Sequence, residues 1–234
     1  EPAAQYYDSI YSALRPTNLT ESEISLINFL AEPGSKILDL GGGTGRHATI
    51  LANQNFKVTV VDSSKGMIKE LQKKDPSINT INKNIYKTDL KGKYSLIILM
   101  WNTFNEIALT KKDAVVLLKK LKNALQNNGT ILINIDDSTK VNPSNFLFNI
   151  DKATGEVNIK AEWKTYKYNK RTNTSVSKET IQVYKNDTLI DTKTGYIKQR
   201  YWRLSEIEAL AKQCGLSISL RNIPGINELY ILLQ

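Results

Sequence analysis

Between Asp39 and Gly45 the chain reads Asp-Leu-Gly-Gly-Gly-Thr-Gly, with glycine at 41, 43 and 45. Glycines at such positions let the backbone approach a ligand that a side chain would hold off, and they take positive φ at little cost. The spacing separates ligand classes. A dinucleotide loop needs G-x-G-x-x-G, and counted from Gly41 its last position is Arg46. A phosphate-cradling loop needs Gly-Lys-Ser or Gly-Lys-Thr, which is absent. Asp62 ends the next β-branched run, Lys57–Val61, and lies 17 residues beyond Gly45. A carboxylate there can accept both hydroxyls of a ribose. Loop and acid together predict a ribose-bearing ligand.

Other chemical groups are few. His47 is the sole histidine and stands on the first turn of the helix expected after the glycine loop. Cys214 is the sole cysteine, which excludes an internal disulfide framework and a cysteine-based zinc site; no metal site is expected. Asn102, Asn105 and Glu106 are the polar groups best placed to meet an acceptor. Trp163, Tyr166, Arg200, Tyr201 and Trp202 either wall a pocket or pack their segment onto a sheet.

These residues need elements to hold them. Thr20-Glu21-Ser22-Glu23 reads as a capping box opening a helix with apolar Ile24 and Ile27. A strand at Lys36–Leu40 precedes the glycine turn, and a helix near Thr44–Gln54 follows it. The second strand ends in Asp62, and Ser63 or Ser64 caps a helix running toward Lys74. Strands are expected at Ile78–Ile81 and Tyr94–Met100, the latter apolar enough to be covered on both faces. Thr110 with Asp113 opens a helix ended by Asn127-Asn128-Gly129, and Thr130–Ile135 is a fifth strand. The alternation implies an α/β, doubly wound parallel sheet. From about 156 to 201 the pattern changes to two or three antiparallel strands. Ser205–Glu208 is another capping box, and Ile218 with Leu229–Leu233 finishes the sheet.

The chain of 234 residues suits one domain, divided into an N-terminal helical cap (1–34), a ligand-binding core (35–136), a β insert over the acceptor site (137–203) and the end of the core (204–234). No apolar run reaches the roughly 20 residues of a membrane-spanning helix. The opening Glu1-Pro2-Ala3-Ala4 lacks the pattern of a signal peptide, so a cytoplasmic location is expected. Net charge is +9, and Lys152 to Arg203 holds 12 basic against 5 acidic residues. Such a stretch is either a solvated lysine surface or a grip for RNA phosphates.

With these features in place, the sequence resembles the class I S-adenosylmethionine-dependent methyltransferases. Ile37–Ala52 looks like their first motif, Val58–Ser64 like the acidic motif, and Lys93–Ile107 like their fourth-strand motif. The resemblance implies a mainly parallel, seven-stranded Rossmann-like sheet with an antiparallel β insert after the fifth strand. It implies S-adenosylmethionine as cofactor and S-adenosylhomocysteine as product. Gly41, Gly43 and Gly45 would pack against its methionine part and ribose, with Asp39 orienting the loop. Asp62 would hold the ribose, with Ser63 and Met67 beside it. Asn84 and Ile85 would flank the adenine, and Met100 and Trp101 would line the channel near the sulfonium. Tyr7-Asp8-Ser9-Ile10-Tyr11 resembles the N-terminal segment of small-molecule N-methyltransferases acting on amino sugars and glycine. By that likeness Tyr7 or Tyr11 would sit near the methionine carboxylate or the transferring methyl, with Asn105 as a further catalytic candidate. Asn102, Asn105, Trp163, Arg200 and Trp202 would face the substrate.

The expected function is methyl transfer to a small-molecule acceptor, an amine ahead of a hydroxyl, by a monomer or homodimer away from membranes. An RNA methyltransferase using the basic insert is the alternative, and a non-catalytic cofactor-binding protein a third reading.

Overall fold

In a computed structural model the described residues are 4–12, 17–223 and 226–234; the opening residues 1–3, read above for a signal peptide, lie outside them. Helix α1 (Tyr7–Tyr11) and α2 (Thr17–Leu30) precede an alternating core: β1 (Lys36–Leu40), α3 (Arg46–Asn53), β2 (Lys57–Asp62), α4 (Lys65–Lys74), β3 (Asn79–Asn82), β4 (Tyr94–Leu99), α5 (Thr103–Ile107), α6 (Lys111–Ala124) and β5 (Leu125–Asp136). Four strands follow, β6 (Leu147–Thr154), β7 (Val157–Asn169), β8 (Thr174–Lys185) and β9 (Thr188–Arg200), before α7 (Leu204–Gln213), β10 (Ile218–Arg221) and β11 (Glu228–Leu233).

The main sheet has seven strands in the order β10-β11-β5-β4-β1-β2-β3. Only β11 runs against its neighbours. The alternating faces of each strand divide the core into two layers. Ile97 and Leu99 of β4 join Leu117, Leu118 and Leu121 of α6 and Ile207 of α7. Leu96 and Ile98, on the other face, join Ile27 of α2, Ala48 and Leu51 of α3 and Leu71 of α4. Both faces of β4 are therefore dry, which is why its sequence is nearly all apolar.

Sequence and structure differ at several borders. Helix α2 already includes Thr17, so Thr20 is an interior residue rather than the cap. The α6 capping box is present, with Thr110 and Asp113 exchanging hydrogen bonds, but the helix ends at Ala124 and β5 begins at Leu125. Asn128, with φ of 61°, sits in the irregular start of that strand, where pairing with β4 shifts register. At α7, Glu206 accepts from the backbone of Arg203, so the box stands two residues before the Ser205–Glu208 position.

The insert holds four strands rather than two or three, in the order β6-β7-β8-β9, all antiparallel. Strand β6 escaped the sequence reading because Leu147–Thr154 mixes apolar, polar and charged residues behind Pro143. The insert's inner face, with Ile159, Ala161, Trp163, Ile181 and Val183, closes on Ile10 and Tyr11 of α1. No helix among the described residues is long and apolar enough to cross a membrane.

Candidate active site

The chain steps outward from β1 to β2 and β3, then returns to lay β4 on the other side of β1. Strand order reverses between β1 and β4, and a crevice at the carboxyl ends of strands belongs there. The glycine loop occupies that edge. Gly41 donates its amide to Val61 O at 2.7 Å, tying the loop to the end of β2. Gly43 and Gly45 take φ of +56° and +83°. A Cβ on Gly45 would lie 2.2 Å from Leu71, whereas one on Gly43 would point into open space. Gly45 is thus required by packing, and Gly43 presents bare backbone to whatever lies above.

Asp62 organises that surface. Its Oδ2 accepts from the amide of Gly43 at 2.9 Å and its Oδ1 from that of Ser64 at 2.8 Å. Burial raises the Asp62 carboxyl, and the two amide bonds oppose it. Beneath the loop Asp39 is 2% exposed, and its Oδ2 has no hydrogen-bond partner. A Cβ on Gly42 would stand 2.6 Å from that oxygen, so the loop rests directly on the carboxyl. Burial pushes the Asp39 carboxyl up to about 6, against a smaller opposing pull from His47.

The other lip is the turn after β4. Trp101 and Asn102 both have positive φ, 48° and 63°, a conformation that costs a residue with a Cβ and marks a turn over-determined by its surroundings. Asn134 accepts from the Trp101 amide through Oδ1 at 2.8 Å and from the Asn102 amide through its carbonyl at 3.1 Å. The Asn102 side chain donates to Asp136 Oδ2 at 2.9 Å and accepts from the Asp136 amide at 2.8 Å. Neighbouring β5 thus holds the turn that aims Trp101.

Helix α1 bridges the crevice. Asp8 accepts from Thr44 Oγ1 at 2.6 Å and pairs with Lys74 at 2.5 Å, and Lys74 also donates to Thr44 O. Arg46 donates to Tyr11 O at 3.3 Å and lies 5.2 Å from the Trp101 ring. Tyr7 and Tyr11 stack at 4.2 Å, and Tyr11 meets Trp101 edge-on at 4.7 Å. Burial and neighbouring acids, Glu106 for Tyr7 and Glu179 for Tyr11, hold both hydroxyls neutral far above physiological pH.

Asp39, Gly41, Gly43, Gly45, Asp62, Ser63, Met100, Trp101, Tyr7 and Tyr11 therefore gather along one sheet edge. Met67 is half-buried on α4 and donates its amide to Ser64 Oγ. Asn84 is exposed, caps the short turn after β3 through Tyr86 N and stands beside buried Ile85. Trp163 reaches the edge from β7, 5.4 Å from Tyr11. Two of the substrate candidates lie elsewhere. Trp202 is wholly buried, donates to Ala108 O and packs on Phe104; Arg200 stacks on it at 3.8 Å and pairs with Glu206. Asn105 is also wholly buried, donating to Asn102 Oδ1, so it braces the turn from behind. His47 is locked onto buried Glu23 at 2.9 Å. Sequence reasoning missed Asp8, Lys74, Asn134 and Glu179. Asp8 lay in plain view between the two tyrosines, but its partners Thr44 and Lys74 are set by the fold alone.

A methyltransferase domain family matches residues 37–129, the stretch from β1 through the glycine loop and β4 to the start of β5. Solved structures extend the likeness over the chain. The solved structure of DesVI from Streptomyces venezuelae superposes with a TM-score of 0.81 at 13% identity, over 97% of each chain. The sugar N-methyltransferase KedS8 from Streptoalloteichus gives 0.79 at 12% identity, over 97% of this chain and 92% of that one. At these identities the likeness is one of fold. In sequence, the cypemycin N-terminal methyltransferase of a Streptomyces species is 26% identical over 139 residues, 58% of this chain and 56% of its own. The chain spans about half the length of the curated relatives it matches.

Proposed function

We propose that the chain transfers a methyl group from S-adenosylmethionine to a nitrogen of a small-molecule acceptor, releasing S-adenosylhomocysteine. The observation that carries this reading is the meeting of the Asp62 carboxylate with the amides of Gly43 and Ser64, beside the open backbone of Gly43 at the switch point. These residues fit the cofactor: Asp62 stands where ribose hydroxyls can donate to it, and Gly41 to Gly45 form a floor without side chains. When bound, the cofactor supplies a methyl already activated by a positive sulfur. The protein's part is then mainly to hold donor and acceptor in line and keep water out. Tyr7, Tyr11 and Trp101 wall the crevice with apolar rings, and the ties of Asp8 to Thr44 and Lys74 fix α1 over it.

An amine is favoured over a hydroxyl because the sole histidine, which could serve as a base, is buried and held on Glu23. The names of the sugar and N-terminal methyltransferases above agree with nitrogen as the acceptor. Calorimetry should show one site for S-adenosylmethionine. Asp62→Ala should weaken it at least tenfold, the loss of a charge-assisted pair of hydrogen bonds; unaltered affinity would sink the ribose assignment.

A further inference from the structure

One acidic residue of the insert is placed unlike its charged neighbours. Glu179 is 7% exposed and faces inward from β8. In register it stands between Trp163 of β7 and Gly195 of β9, so one flank is an indole and the other carries no side chain. Among the described residues its hydrogen-bond partners are neutral donors, and both meet the same oxygen. Trp163 Nε1 donates to Oε1 at 2.8 Å and the Tyr11 hydroxyl at 3.2 Å. The nearby lysines of the insert, Lys164 and Lys178, pair across the outer face, where both are exposed. The insert is basic outside and acidic at this one inner point.

A buried carboxylate is costly unless it is opposed by hydrogen bonds or charge. Burial raises the Glu179 carboxyl, and the bonds from Trp163 and Tyr11 oppose it. Around it stand rings that attract cations through their faces. Trp163 is 5.4 Å from Tyr11 and 5.9 Å from Phe148, and Tyr11 is 4.7 Å from Trp101 at the lip of the crevice. A carboxylate set among indole and phenol rings matches the chemistry of an alkylammonium group.

We propose that Glu179, walled by Tyr11, Trp101 and Trp163, is the subsite that receives the acceptor's nitrogen: an alkylammonium group gives one proton to the carboxylate, which frees the lone pair that accepts the methyl, and the site so selects aliphatic amines. This rests on the reading that the acceptor is an amine. The test uses the full chain saturated with S-adenosylhomocysteine, with tryptophan fluorescence followed as trimethylammonium chloride or its neutral counterpart tert-butanol is added. Trimethylammonium should perturb the emission saturably and tert-butanol should not. Glu179→Gln, which keeps the shape, should raise the half-saturating trimethylammonium concentration at least tenfold. It should also leave S-adenosylhomocysteine affinity within twofold by calorimetry. Equal cation binding in the variant, no preference for the cation in the wild type, or loss of S-adenosylhomocysteine binding in the variant would each overturn the subsite. The last result would make Glu179 a brace for α1. Should Glu179→Gln fail to fold, Glu179→Asp and Trp163→Phe answer the same question, each expected to weaken the cation severalfold; unchanged binding in both overturns it. A wild type that does not bind S-adenosylhomocysteine would instead count against methyl transfer itself, whatever the cation does.

Discussion

At the residue scale the glycine loop is held by a carboxyl that is itself poorly satisfied. Asp39 lies under Gly42 with one oxygen unpaired, and burial lifts it from an ordinary 3.8 to about 6. The folded protein then keeps a proton that the unfolded chain releases between these values, so stability falls as pH rises through that window and is level above it. A shift of this size corresponds to about 3 kcal/mol as an upper figure. Asp39→Asn should flatten that part of the curve, read as denaturation midpoints between pH 4 and 7, and an unchanged slope would place the charge elsewhere. Asp62 differs although it is the same residue type at the next strand end. Burial raises it too, but two amides oppose the rise and part of it stays accessible to a ligand. The sequence showed both acids and their spacing. Which one carries the unmet oxygen depended on Gly42 packing against Asp39, a contact that no spacing predicts.

Among elements, the turn after β4 does the aiming. Two consecutive residues in the left-handed region are held by Asn134 of β5 and by the reciprocal bonds of Asn102 with Asp136. Asn102→Ala should cost about 2–4 kcal/mol, chiefly from the buried groups it orphans, because the β-carbon at positive φ is present in both residues. Asn102→Gly should cost less, because it loses the same hydrogen bonds but relieves the strain at positive φ. Equal losses in chemical denaturation would show that backbone strain plays no part. The parallel core was legible because β-branched runs, capping residues and glycine turns each act locally. Ser64 does cap α4, and Thr110 and Asp113 do open α6. The insert was less legible: antiparallel strands with one wet face alternate too weakly to count, and β6 carries little signal of its own. Arg200 and Trp202 were left between walling a pocket and packing their segment onto a sheet, and spacing could not decide. The end of β9 turns into α7 and buries them against Phe104 and Glu206.

Over the whole molecule, charge and chemistry are kept on different surfaces. The glycine loop, Asp62 and the tyrosines share one edge of the main sheet, and Lys164 and Lys178 pair across the insert's outer face, with Lys198 also exposed. Replacing Lys164, Lys178 and Lys198 by Gln should leave S-adenosylmethionine affinity within twofold by calorimetry, because no charge near the crevice changes. If a duplex or stem-loop RNA bound the wild type with a steep salt dependence that the triple variant lost, the acceptor would have to be sought among nucleic acids. The buried pairing of His47 with Glu23, and of Glu23 with Tyr230, clamps α2, α3 and β11 together, and Glu228 carries that network on to Asn134, which holds the turn after β4. The insert also enters and leaves the chain at one place, from the end of β5 to the start of α7, with Asn173 bonded to the backbone of Tyr201 at its base. On the reading that the insert covers the acceptor site, exchanging that four-stranded cassette as a unit would change the acceptor without redesign of the glycine loop and Asp62.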